Sequence, residues 1–244
     1  MAPLLQLDGL SRSFGGLAAV EGLDLVVEPG RLMGLIGPNG AGKTTVFNLI
    51  SGVLAPSRGR VTFKGDAITG EPAYVIARRG LARTFQIPTL FSSFSTLDNV
   101  VLGGYTRRRE RGVERERALE LLRLLKLEAV RDERVKTLPH GDQKKVELAV
   151  ALASSPELVL LDEPFAGLSA DEILDMTGHI ERLRGSGVTF VVVEHNMRAL
   201  MRIADRVCVL SFGRKIAEGT PQEISEHPEV IRAYLGTRRH APRG

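Results

Sequence analysis

The chain has 244 residues, of which 43% are hydrophobic and 25% charged, the balance of a globular protein of one large domain that needs no disulfide or metal to hold a core. Its lone cysteine, Cys208, excludes an intramolecular disulfide and fits a reducing compartment. Lys and Arg outnumber Asp and Glu by 33 to 29, with the excess in residues 106–117 and in the tail TRRHAPRG; these runs lack interleaved aromatics, which argues against nucleic-acid binding.

In chain order, the alternating LLQLDGL and LDLVV predict antiparallel strands near the start, and VTFKG another. RLMGLIG predicts a buried strand entering a Gly-rich loop, and TTVFNLISG the helix after it. The middle changes character. ERERALELLRLLKL places apolar residues at 118, 121, 122 and 125 with charges opposite, an amphipathic helix, and QKKVELAVALA predicts a second, more buried one. LVLLD and VTFVVVE are short, solidly apolar runs, the signature of parallel strands covered on both faces. Between them ADEILDMTGHIERLR predicts a helix with residues 173, 174, 176, 180 and 183 on one side. RVCVLS and RKIAEG predict a closing strand pair, and PQEISEHPEVIRAYLG a helical end. The expected fold is α/β: a core with a mixed sheet, antiparallel strands at the N-terminus, and an inserted helical subdomain over roughly residues 72–156 of a single domain 1–244. No stretch reaches the ~18 consecutive apolar residues of a membrane-spanning helix, and the start shows no signal-peptide pattern. A cytoplasmic chain is expected, unless a partner draws it to a membrane.

Three segments carry chemistry. GPNGAGKT (37–44) fits the phosphate-loop pattern G-x-x-x-x-G-K-[ST], with a strand before it and a helix after it. Its glycines let backbone N–H groups turn inward onto phosphate oxygens. Lys43 brings positive charge to the β- and γ-phosphates, and the Thr44 hydroxyl is placed to ligate Mg²⁺. LVLLDEP delivers Asp162 to the end of a strand, where it can hold the same ion. Glu163 follows, suited to take a proton from an attacking water. The third is VVVEH, whose His195 ends a strand within reach of a γ-phosphate.

The order GPNGAGKTT, TFQ, LPHGDQKKVELA, LVLLDEP, VEHN resembles the ATP-binding subunits of ABC transporters across nearly the whole chain. SFGGLAAVEGLDLVVEPG, ARTFQIPTLFSSFSTLDNVVLG and VVVEHNMRALMRIADRVCVLSFGRKIAEGTPQEI look like the ATPases of branched-chain amino acid importers. Glu194 before His195, where most such ATPases carry Thr or Ser, marks that branch and its close relatives. The resemblance implies an α/β fold with a P-loop NTPase core, and an ATPase that uses ATP and Mg²⁺, with ATP held by Phe14 (stacked on adenine), Gly37, Pro38, Asn39, Gly40, Ala41, Gly42, Lys43, Thr44 and Thr45. Gln86 would touch the metal or the attacking water, and His195 would bridge the γ-phosphate. Residues 138–143, Gly141 above all, would form the signature that completes a facing subunit's site. Implied partners are two membrane permease subunits docking near Gln86 and residues 87–99, a second ABC ATPase, identical or different, and indirectly a substrate-binding protein. The expected location is then the cytoplasmic face of the membrane. A soluble ABC ATPase without transport, or an importer of urea- or amide-like substrates, is the alternative. The chain departs from the family pattern at Pro139, where a signature Ser is expected, at Asp142, where Gln is usual, and at Ser169, where Asp or Asn is usual. These departures imply unequal sites and put the cross-talk between them in doubt.

Overall fold

The computed structural model describes residues 2–84, 90–105 and 113–238. Strands β1 (Leu5–Phe14) and β2 (Leu17–Val27) form an antiparallel hairpin. β3 (Leu32–Ile36), buried at every position, leads through the glycine loop into α1 (Lys43–Ile50). β4 (Arg58–Phe63) returns antiparallel to β1, and the short β5 (Asp66–Ala67) extends that edge. Next come α2 (Ala73–Arg79), β6 (Leu81–Arg83), α3 (Thr96–Gly104), α4 (Val113–Leu124) and α5 (His140–Ala153). The chain then alternates: β7 (Leu158–Asp162), α6 (Ala170–Gly185), β8 (Thr189–Val193), α7 (Met197–Ile203) and β9 (Arg206–Ser211). β10 (Arg214–Gly219), α8 (Pro221–Glu226) and α9 (Pro228–Arg238) close it. The helical end is split at His227–Pro228, because proline has no N–H to continue a helix and its ring clashes with the preceding turn.

Two sheets result. The N-terminal strands make an antiparallel sheet of their own, ordered β2-β1-β4-β5. The second, ordered β10-β9-β3-β8-β7-β6, is mixed: its central pairings are parallel, and β10 runs antiparallel to β9 at the edge. Alternation decides which core each side chain joins. Met33, Leu35, Leu160, Val191, Val193 and Cys208 face the antiparallel sheet and α1, while Leu32, Ile36, Val159, Leu161, Phe190 and Val192 face the helices on the other side. Covering on both faces explains why these strands read as unbroken apolar runs.

The expected helical segment 72–156 includes α2, α3, α4 and α5, and it also supplies β6, which pairs parallel to β7. Ala118, Leu121, Leu122 and Leu125 are fully buried, as the amphipathic pattern of α4 requires. Their cluster is continuous with the helix-facing side of the mixed sheet. One expectation fails on α6. Met176, Ile180 and Leu183 are buried and Ile173 packs on the same core, but Leu174 is 51% exposed. At 100° per residue, position 174 stands about 160° from 176, on the opposite face. Among the described residues, no helix is long and apolar enough to cross a membrane.

Candidate active site

The phosphate loop is built by backbone conformations that only glycine adopts easily. Gly37, Gly40 and Gly42 have φ of 154°, 79° and 101°. A Cβ on Gly37 would collide with the carbonyl oxygen of Leu210, and one on Gly42 with that of Ala19, so β9 and β2 press directly on the loop. Gly42 caps α1 without a side-chain acceptor, leaving the first-turn N–H groups directed at the cleft, where the helix dipole favours an anion. Lys43 is buried and donates to the carbonyls of Gly37 (2.7 Å) and Pro38 (3.1 Å). Burial lowers its pKa, a shift opposed by the charges of Glu163 and Asp162.

A cleft opens over this loop. It is walled by Leu17, Ala18 and Ala19 of β2, by residues 39–45, and by Glu163, Val193, His195 and Phe212. The structure thus brings Asn39, Gly40, Ala41, Gly42, Lys43, Thr44, Thr45, Glu163 and His195 together. Parallel pairing of β7 with β8, with Asp162 opposite Val193, sets their carboxyl ends side by side at the mouth. Glu163 follows in the left-handed region at φ 51°, and its N–H donates to the carbonyl of Val193 (2.9 Å). Such a conformation costs ~1–3 kcal/mol in a residue with a side chain and is typical of functional sites. The Glu163 carboxylate (Oε1) lies 3.2 Å from Nε2 of His195, whose ring is about half exposed.

Asp162 is buried beside the cleft and forms an ion pair with Arg83 of β6 at 3.2 Å, while its N–H donates to the Thr84 hydroxyl (3.1 Å). Burial raises the Asp162 pKa, and the hydrogen bond and charge of Arg83 oppose the rise. Arg83 also donates to Asn48 Oδ1 at 2.6 Å and lies over the Phe47 ring, tying the strand before Gln86 to α1. Gln86 itself lies outside the described residues, as do residues 87–89.

Two expected residues stand apart. Phe14 lies at the end of β1, 45% exposed, with the Arg12 guanidinium 4.8 Å from its ring centroid, and is not a wall of the cleft. Gly141 sits in the first turn of α5 against the Glu172 side chain of α6, also away from the cleft. Around it, Pro139 offers α5 no side-chain cap, and Asp142 is turned to Lys145 at 2.7 Å. His140 Nε2 is 3.1 Å from the carbonyl of Ala166, in the segment after Glu163. Ser169 caps α6 in a reciprocal box with Glu172. Sequence reasoning missed Phe212, which is 91% exposed at the cleft edge in the turn between β9 and β10. The only signal for it was an aromatic residue beside a turn glycine.

A strand running into a phosphate-cradling loop and helix, with acids at the end of a parallel strand two places along the same sheet, defines a P-loop nucleotide hydrolase. A family model described as ABC transporter matches residues 20–166, and one described as branched-chain amino acid ATP-binding cassette transporter matches residues 214–240. The chain is 37% identical over 250 residues to the high-affinity branched-chain amino acid transport ATP-binding protein BraF of Pseudomonas aeruginosa, covering 96% of this chain and 98% of that one. It is also 37% identical over 233 residues to the lipopolysaccharide export system ATP-binding protein LptB of Escherichia coli, covering 95% and 97%. A nucleotide-free ATP-binding cassette from an ABC transporter superposes with a TM-score of 0.90 at 28% identity, covering 96% of this chain and 99% of that one. A cassette solved as a dimer with ADP and Pi gives 0.79 at 26% identity, covering 89% and 98%. The chain belongs to the ABC transporter family, as an ATP-binding subunit that hydrolyses ATP.

Proposed function

We propose that this subunit powers import of branched-chain or related amino acids from the cytoplasmic face of a membrane. Two permease subunits hold it there, a substrate-binding protein feeds them, and a second ABC ATPase faces it. The observation that carries the catalytic half is the 3.2 Å approach of Glu163 to His195 at the mouth of the phosphate-loop cleft. The cargo assignment is supported by the match at residues 214–240. Docking against permease is supported by Phe91 and Phe94, both exposed and stacked with centroids 5.4 Å apart.

In this reading the N–H groups of residues 39–45 and the Lys43 ammonium hold the β- and γ-phosphates in line for attack. Glu163 accepts a proton from the attacking water as its oxygen bonds to the γ-phosphorus and the bond to the ADP oxygen breaks. His195 orients that water and the γ-phosphate, and Gln86 is assigned to the same water by resemblance. Phe14 is assigned to adenine and Gly141 to the facing subunit's nucleotide on the same ground. Mg²⁺ fits the residues present: the Thr44 hydroxyl and the Asp162 carboxylate are hard oxygen donors, and this ion takes one or two protein oxygens beside phosphate and water. Bound there, it neutralises charge on the transferred phosphoryl group.

Reconstitution with its permeases in vesicles, with ATP on the chain's side, tests both halves. Glu163→Gln should leave ATP affinity within about twofold and lower turnover at least ~10²-fold, the scale of general-base help, with uptake of labelled leucine falling in step. Wild-type turnover in this variant removes Glu163 as the base. Brisk ATP hydrolysis with no amino acid uptake favours the second reading, export of a lipid-bearing substrate, which the likeness to LptB supports.

A further inference from the structure

Glu194 is buried, 3% exposed, at the end of β8, and its carboxylate accepts backbone N–H groups from two different loops. Oε1 accepts from Phe165 at 2.7 Å; Oε2 accepts from His195 and from Asn196, both at 2.8 Å. Phe165 lies two residues beyond Glu163, so one side chain ties the loop that carries Glu163 to the loop that carries His195. A carboxylate has about four acceptor sites on two separated oxygens, which suits donors arriving from both sides. The shorter Ser or Thr has a single oxygen and cannot serve both loops. Burying a carboxylate is costly, and three N–H donors offset that cost by satisfying its oxygens.

We propose that Glu194 is a positioning residue for ATP hydrolysis. It fixes the two loop backbones relative to each other and so holds the Glu163 carboxylate and the His195 imidazole at their 3.2 Å separation. Two further bonds among the described residues flank this link. Glu163 N–H is held by the carbonyl of Val193, in β8 itself, and the Asn196 side chain faces forward to cap α7 through Ala199 N–H at 3.1 Å. The first ties Glu163 itself to the end of β8, and the Glu194 carboxylate adds a second tie, from Phe165 to the backbone of His195 and Asn196. This inference rests on the proposed roles of Glu163 and His195.

The test is Glu194→Gln, isosteric but with an amide nitrogen in place of one oxygen, so that N–H must face N–H on one side of the link. It is compared with His195→Ala and with the double variant in the assembled transporter, and nucleotide affinity and thermal unfolding are measured alongside. Glu194→Gln should lower kcat about tenfold while KM for ATP stays within about twofold, and in the His195→Ala background it should cost less than about twofold more, because residues acting as a unit are non-additive. Wild-type kcat in Glu194→Gln overturns the inference, as does a full tenfold loss retained in the His195→Ala background. So does a chain that loses ATP affinity or folding in proportion to kcat, since Glu194 is then a support of the fold. If His195→Ala alone hydrolyses ATP normally, the catalytic reading of His195 fails, and this inference with it. A dead His195→Ala beside a normal Glu194→Gln removes only the present inference.

Discussion

Arg83 and Asp162 bury their side chains to 6% and 3% exposure and meet at 3.2 Å. Desolvation is the largest influence on both, lowering the Arg83 pKa and raising that of Asp162, so each charge depends on the other to remain ionised. Arg83→Met keeps the bulk and strands the carboxylate, a change that costs ~3–5 kcal/mol when a buried pair is broken on one side. The sign of the pH dependence follows. Asp162 already binds its proton more tightly in the folded chain than the ordinary value of 3.8 implies, and the loss of Arg83 raises it further. Stability from such a group is fully present below its unfolded pKa and is lost as pH rises through the folded one. Urea titrations should therefore show the Arg83→Met deficit largest near neutrality and shrinking towards pH 4. A deficit constant across that range would rule out the ionised Asp162 as its source. At this scale the sequence was legible where chemistry is local: Lys43, Glu163 and His195 stand at strand ends or in a fixed motif. Arg83 was not legible, because its partner is 79 residues away and only the pairing of β6 with β7 brings them together.

At the scale of elements, α6 shows how a departure from a family pattern can be a sound local choice. Ser169 Oγ accepts from Glu172 N–H, and the Glu172 carboxylate accepts from both the N–H (2.8 Å) and the hydroxyl (2.7 Å) of Ser169. These bonds hold the Glu172 pKa below its usual range, the backbone N–H of Ser169 contributing most. Ser169→Ala should lower stability by ~1 kcal/mol, and Ser169→Asp, another good cap, should keep most of it. Chemical denaturation of the purified chain measures both, and an alanine variant as stable as wild type would leave the box without energetic weight. The elements themselves were readable: solid apolar runs gave β7 and β8, and the 118, 121, 122, 125 spacing gave the buried face of α4. Less readable was how the strands divide. Sheet membership depends on which edges meet, so the segregation of β1, β2, β4 and β5 into their own sheet, and the placement of β6 beside β7, have no signature in periodicity.

For the whole molecule, the two surfaces proposed as its nucleotide machinery are unequally equipped. The phosphate-loop cleft has its lysine, its acid and its histidine in place. The signature end of α5 has no side-chain cap from Pro139 and a carboxylate, Glu172, packed against Gly141, an arrangement poorly suited to greet a γ-phosphate. Asp142 is less of an obstacle than its charge suggests, since it is paired with Lys145. In a symmetric pair both sites would carry the weak signature; with a different ATPase, the intact cleft of this chain would face a signature of that partner. We therefore expect the Glu163→Gln chain alone to associate weakly with ATP present, and Glu163→Gln combined with Pro139→Ser to associate far more strongly. A hydroxyl donating to a charged phosphate is worth ~1.5–3 kcal/mol, and a symmetric dimer gains it twice, so the dimer dissociation constant should fall by at least ~10²-fold. Sedimentation of the two variants with ATP reads this directly. Equal, tight dimers from both would mean that the signature functions as it stands and that a second copy of this chain suffices as the partner. A shift confined to the Pro139→Ser variant would instead place the missing hydroxyl, and the catalytically competent signature, on a different subunit.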